Sequence, residues 1–278
     1  MSQPPPQQQQ SIISQTALAR LRQAGPAEEA DGLPRLFTSD LSINEFALIH
    51  EAGFEPVGLV LGSSIYHVGI QVQSWSQSQE LQVLTQAMYT AREYAIARME
   101  AEADELRADG IVGVRLEYKR YAWATELLEF LAVGTAVRSL RGGSWRTPAG
   151  KPFTSDLSGQ DMWTLVKTGH APVSFVLGTC VYHVAHQSFL QAMKTMGRNT
   201  EMPNFTQATY DAREIAMARM QAEAERDGAS GIVGVRVIEQ NHAWGDHAIE
   251  FLAIGTSIRA LPGEGALPVP TMVMPMTN

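Results

Sequence analysis

The sequence predicts an α+β protein built from two tandem copies of one module, and three observations carry that reading. The segment YTAREYAIARM at Tyr89–Met99 returns almost unchanged as YDAREIAMARM at Tyr210–Met220. The match spreads outward from there, beginning at FTSDLS after Phe37 and Phe153. It ends at EFLAVGTAVRSL from Glu129 and EFLAIGTSIRAL from Glu250. Within each copy the hydrophobic period changes between that of a helix and that of a strand.

Each copy opens on a helix start. Ser42 with Glu45 forms a capping-box pattern, and Ser158 with Asp161 is its aspartate variant, each ahead of a short apolar-periodic run that stops at Gly53 or Gly169. A β-rich run follows, PVGLVLGSSIYHV in the first copy, with proline at the first position where a strand accepts one. Beyond it the offset between copies grows from 116 to 121 residues. The insertion falls in polar, divergent sequence, where a surface loop tolerates it. The long repeated helix comes next, then GIVGVR and EFLAVGTAVR as strands joined by a turn containing Trp123 or Trp244. The order is α-β-α-β-β. The repeats therefore span residues 37–140 and 153–261, joined by the linker 141–152. Residues 1–36 begin as a Pro/Gln tract, with Ile13, Ala17 and Leu21 at helical spacing, which suits either a docking helix or a frayed one. Residues 262–278 form a Pro/Met-rich tail without charge after Glu264.

The apolar surface exceeds what one module can bury. Leu84, Met88, Ala91, Ala95, Met99, Ala103 and Leu106 form one stripe on the long helix, and Ala87, Tyr94, Ala97 and Ala101 form a second. The last strand is apolar on both faces, through Leu128, Phe130 and Ala132 on one and Leu131, Val133 and Val137 on the other. One helix covers one face of a sheet. Self-association, between repeats or between chains, completes the burial. Glycines recur in the strands at Gly62, Gly113 and Gly134 and at their counterparts, marking bulges or close approaches of backbone.

Composition narrows the function. With 21 basic and 29 acidic residues the chain carries −8 and has no phosphate-tracking stripe, so nucleic acid is not an expected partner. Cys180 is the single cysteine, which excludes an intrachain disulfide and any CxxC motif and suits a reducing cytoplasm. MSQPPPQQQQ lacks the basic and apolar regions of a secretion signal, and no apolar run is long enough for a membrane span.

The ordered motifs AREYAIARMEAEA, GIVGVR and EFLAVGTAVR, each written twice, resemble the YbjQ-like family of small bacterial proteins, often labelled heavy-metal-binding domains. The likeness covers the last two thirds of each repeat. It implies a dodecin-like β-α-β-β unit assembling into a five-bladed ring. Five is odd, so such a ring cannot hold whole two-blade chains, and each chain would connect two rings, as a stack or as a larger closed shell. The expected function is a non-enzymatic, self-assembling scaffold, with cargo or partner recruited by the termini. The alternative is a metal- or small-ligand-binding oligomer.

Candidate site residues follow from both readings. Arg98 with Glu102, and Arg219 with Glu223, lie at i,i+4 spacing between the two helical stripes and are expected to form interface ion pairs. His67 and His183 occupy matching positions that a ring would gather around an axis, and Glu129 and Glu250 are carboxylates embedded in apolar strand sequence. These four are the candidate ligands for a divalent metal or small molecule. His242 and His247 stand in the second repeat alone. No GxSxG, Walker A or dinucleotide-binding pattern is present, and no catalytic set is assigned.

Overall fold

The structure is a computed structural model that describes residues 13–24, 37–67, 78–121, 124–140, 142, 145–184, 202–242 and 248–261. In chain order the elements are α1 (Gln15–Ala24), α2 (Ile43–Glu51), β1 (Phe54–His67), β2 (Gln79–Glu80), α3 (Gln82–Glu105), β3 (Gly110–Tyr121) and β4 (Ala124–Ser139). They continue with β5 (Phe153–Thr154), α4 (Gly159–Lys167), β6 (His170–His183), α5 (Pro203–Arg226), β7 (Gly231–His242) and β8 (Ala248–Ala260). Each repeat reproduces the expected order of helix, strand, long helix and β-hairpin.

Local chemistry sets the ends of these elements. Ser42 caps α2 with a complete capping box, its side chain accepting from Glu45 N while Ser42 N donates to the Glu45 carboxylate. Ser158 caps α4 through Asp161 N. Both long helices run free of internal glycine, and Pro203 occupies the first turn of α5, where its missing N–H costs nothing. They end on a left-handed residue, Gly228 (φ 72°) after α5 but Arg107 (φ 54°) after α3.

Two sheets result, a mixed one in the order β1-β4-β3-β5 (sheet 1) and an antiparallel one in the order β2-β6-β8-β7 (sheet 2). In each hairpin the register shifts by a bulge, between Val112 and Arg115 and between Val233 and Arg236, where Gly113 and Gly234 take φ of 64° and 66°. The long helices lie against their own sheets at very short range. A Cβ added at Gly62 would stand 2.1 Å from Ala95 O, and one at Gly178 2.0 Å from Ala216 O. At this position glycine serves close approach, and at Gly113 and Gly234 it serves a bulge, so both sequence readings of the glycines apply, at different sites.

The first apolar stripe of α3, from Leu84 to Leu106, is buried throughout. The second stripe is not: Tyr94 is 53% exposed and Ala97 is exposed. Among the described residues of one chain the second stripe therefore has no covering partner, which leaves the alternative of a contact between chains for it. The α3 surface that meets the other repeat is instead the N-terminal half of the first stripe, which lies between two sheets. A separate core forms where α2 meets α4, from Ile49, Phe54, Phe153, Met162 and Val166, with Trp145 of the linker edge-on to Phe54 at 4.8 Å. α1 also docks, with Leu21 and Ile13 buried, which resolves the choice between a docked and a frayed helix. No helix among the described residues is long and apolar enough to cross a membrane.

Candidate functional site at the seam between the repeats

The repeats exchange small pieces of strand. β2, from repeat 1, extends sheet 2 by pairing Gln79 with His183 and Glu80 with Tyr182. β5, at the start of repeat 2, extends sheet 1 by pairing in parallel with Gly110 and Ile111. From β5 the chain crosses to its own repeat, where Asp156 accepts from Thr256 Oγ1 and pairs with Arg236 at 2.9 Å. Repeat 1 repeats this strap chemistry through Asp40, Thr135 and Arg115.

Between these straps α3 covers the outer face of sheet 2. Leu84 and Met88 share a core with Phe175, Leu177, Val181, Leu252 and Ile254, while α5 covers the inner face through Val176, Cys180 and Phe251. Sheet 2 is thus sandwiched between its own helix and the helix of repeat 1. Arg92 crosses the seam: it stacks over Phe130 of its own sheet at 5.0 Å and pairs with Glu250 of the other at 2.6 Å. Thr179 Oγ1 donates to the same carboxylate oxygen at 2.8 Å. Both charges are almost completely dry, with side chains 2% and 0% exposed, so removal of either would strand the other. At the sheet edge Arg219 forms a two-pronged pair with Glu80, at 2.6 and 3.1 Å, and donates to Thr179 O. The bond to Glu80 holds the Arg219 guanidinium above its ordinary pKa.

The corresponding surfaces at the chain's two ends are open. On sheet 1 Leu61 is 37% and Ile65 58% exposed, where their counterparts Leu177 and Val181 are buried. Phe205, Thr206, Thr209 and Arg213 of α5 are half-buried, where Leu84, Thr85, Met88 and Arg92 of α3 are buried. Gly231 on the β7 edge is exposed, whereas its counterpart Gly110 is covered by β5. Arg213 already sits over Phe251 at 5.9 Å, as Arg92 sits over Phe130.

The predicted site residues are redistributed. Arg98 does not pair with Glu102, nor Arg219 with Glu223. Glu102 turns to the edge of β1, accepting from Leu61 N at 3.0 Å and pairing with Arg20 of α1 at 2.5 Å, while Arg98 donates to Ser63 O. Glu223 likewise accepts from Leu177 N. The physical reason is that each helix runs so close to an edge strand that unpaired backbone groups outcompete the neighbouring side chain. His67 lines an exposed groove beside Tyr66 and Gln82, His183 is buried at the end of β6, Glu129 is half-buried and Glu250 belongs to the seam pair. Among the described residues no group of three His, Cys, Asp or Glu side chains is placed to hold a metal. Cys180 is buried between sheet 2 and α5, and burial pushes its thiol up to about 12, far from the thiolate a soft metal prefers. His242 ends β7, and His247 lies outside the described residues, as do Trp123 and Trp244. Arg92, Glu80 and the Asp40 and Asp156 straps are the residues sequence reasoning passed over. The straps did carry a signal, since TSD and GT recur in both repeats.

Comparison with known proteins agrees with this duplicated architecture. A model of the YbjQ family, described as "Putative heavy-metal-binding", matches residues 58–139 and again residues 170–260. A Mycobacterium tuberculosis protein named as an encapsulin nanocompartment protein is 56% identical over 253 residues, covering 91% of this chain and 96% of that protein. A UPF0145 protein of Thermus thermophilus is 42% identical over 64 residues, which is 23% of this chain and 54% of the relative. One from Pseudothermotoga lettingae is 35% identical over 89 residues and is covered over 82% of its length. The two matched regions together span more than half of the sequence, and each contains one long helix with the hairpin that follows it and most or all of the strand that precedes it. The chain belongs to the YbjQ-like family and carries two of its modules in tandem.

Proposed function

We propose that the protein is a non-enzymatic scaffold whose chains assemble head to tail into closed particles. The observation that carries this reading is that the three seam surfaces described above, the α3 face, the outer face of sheet 2 and the β3 edge, each have an open counterpart in the other repeat. The α5 face bearing Phe205 and Arg213 would cover the outer face of sheet 1 in a second copy, and Arg213 would meet that copy's Glu129 as Arg92 meets Glu250. The segment at Phe37, 40% exposed, would lie along the second copy's β7 edge as β5 lies along β3. Such a contact joins unlike surfaces, so it repeats until a ring closes. Covering a large aliphatic side chain such as Ile65 stabilises by roughly 1.5–3 kcal/mol, and several would be covered at once. The name of the Mycobacterium tuberculosis relative, a nanocompartment protein, supports the same class of function.

The seam also bears on ring size. With both repeats side by side in one ring the number of blades is even, so five-fold symmetry requires ten blades from five chains rather than one repeat from each. Light scattering of the full chain tests the reading. Five chains of 30.4 kDa would weigh about 150 kDa. A larger multiple supports a shell of such rings, and a mass of 30.4 kDa at micromolar concentration overturns assembly.

A further inference from the structure

Duplication places two related helix-docking positions in the chain, and among the described residues one helix, α1, docks at the first of them. In repeat 1 the position is the edge of β1 beside α3. There Arg20 donates to Leu59 O at 2.9 Å and pairs with Glu102 at 2.5 Å, and the next residue, Leu21, is 2% exposed. Glu102 is anchored by Leu61 N. In repeat 2 the carboxylate half of this frame is present: Glu223 is anchored by Leu177 N at 3.0 Å, and Phe175 and Ser174 stand where repeat 1 has Leu59 and Gly58, with Phe175 N donating to Thr154 Oγ1 of β5 at 2.8 Å. Here the frame opens onto a cleft of about 510 Å³, lined by Ser174, Phe175 and Glu223 on one side and by Tyr94 and Ala97 of α3 on the other. Among the described residues Glu223 forms no ion pair. The cleft is apolar at Phe175, Tyr94 and Ala97. Its rim holds the carboxylates Glu93, Glu100 and Asp227 against Lys151 and Arg226, so it favours a cation.

We propose that this cleft binds a short amphipathic helix carrying an arginine, supplied by another polypeptide. The occupant is foreign because each copy's own α1 is already engaged at Glu102. Its chemistry is that of the Arg20-Leu21 pair: a guanidinium for Glu223 and the sheet-edge carbonyl, followed by a large aliphatic side chain for the apolar wall. Burial raises the Glu223 carboxyl to about 7, which an incoming guanidinium would reverse. The cleft lies within a single chain, so it would bind its partner in a monomer as well as in a particle.

The probe is a fluorescein-labelled synthetic peptide with the sequence of residues 13–24, titrated with the full-length protein by fluorescence anisotropy. Saturable binding of one peptide per chain is expected. Affinity should fall at least about tenfold when the peptide's Arg20 is replaced by alanine, matching the loss of one buried charge-assisted bond. The same loss is expected in Glu223→Gln protein and in Ala97→Trp protein, whose substitution at an exposed site fills the cleft without entering the core. Glu105→Gln, at an exposed carboxylate outside the cleft, should leave binding unchanged. Absence of saturable binding overturns the proposal. So does binding that is lost in Glu102→Gln and retained in Ala97→Trp, because the peptide would then be exchanging with the resident α1.

Discussion

Sheet 1 and sheet 2 share the order of their three long strands and each packs its own long helix, yet Val181 at the seam is fully buried while its counterpart Ile65 is 58% exposed. The same holds for Leu177 against Leu61, and for Arg92 against Arg213. Since the sequences at these positions are nearly interchangeable, the difference arises from what each repeat has beside it. Repeat 2 has a neighbour on its outer face and repeat 1 does not. One chain therefore buries the outer face of repeat 2 and leaves the equivalent face of repeat 1 exposed, the face that a second copy covers in the proposed assembly.

The largest expected effect falls on what the repeats share. Gly62→Val and Gly178→Val each drive a side chain into a helix backbone, and overpacking against atoms that cannot yield should cost about 3 kcal/mol or more in either repeat. Urea denaturation followed by circular dichroism would show it. A tolerated valine at one site but not the other would break the equivalence of the two helix contacts. The next effect separates the repeats. Arg92→Met should destabilise the chain by about 3–5 kcal/mol, because Glu250 is left dry and unpaired, and Arg92→Met/Glu250→Leu should recover most of the loss. Arg213→Met should leave the folding of the single chain nearly unchanged and lower its mass in solution.

A third contrast lies in the paired carboxylates. Glu223 is raised to about 7, chiefly by burial, with Glu93 and Asp227 adding to the shift and the bond from Leu177 N and the charge of Arg226 opposing it. A carboxyl with a folded pKa above its unfolded value of 4.5 binds protons more readily in the folded chain, so its contribution to stability is full below about 4.5 and is lost as pH rises to about 7. Stability measured across that window should fall with rising pH, and Glu223→Gln should flatten the slope. The smallest contrast is at the helix ends. Arg107 holds a left-handed φ where repeat 2 has Gly228, so Arg107→Gly should stabilise by about 1 kcal/mol, read as a shifted thermal midpoint. No gain would mean that the ordering cost of glycine cancels the relief.

Much of the fold was legible because duplication prints the main elements of each repeat twice. Capping signals, the proline of β1, the stripe from Leu84 to Leu106 and the closing hairpins all recur, and each emerged in the expected order. The apolar surplus on the last strand has its partner in repeat 2, where Leu252 and Ile254 meet α3, while Leu131 and Val133 of repeat 1 stay half-buried. The identity of that partner stayed hidden, since a stripe reports that a face is buried and not what buries it. Arg92 escaped notice because a charged residue beside a stripe reads as solvated unless its partner is known, and Glu250 lies 158 residues away. The i,i+4 pairs at Arg98 and Arg219 failed for the converse reason: the sequence shows the neighbouring carboxylate but not the edge strand that competes for it. α1 could not be assigned as docked without the β1 edge that receives Arg20.

The central claim, that the open faces of the two repeats are halves of one contact, is tested most directly by the mass of Arg213→Glu beside that of the unaltered chain, each measured by light scattering at the same micromolar concentration. The account predicts a multiple of 30.4 kDa for the unaltered chain, 30.4 kDa for Arg213→Glu, and return of the larger mass when Glu129→Arg is added. An unaltered chain at 30.4 kDa, or an Arg213→Glu chain that keeps the full mass, would contradict it.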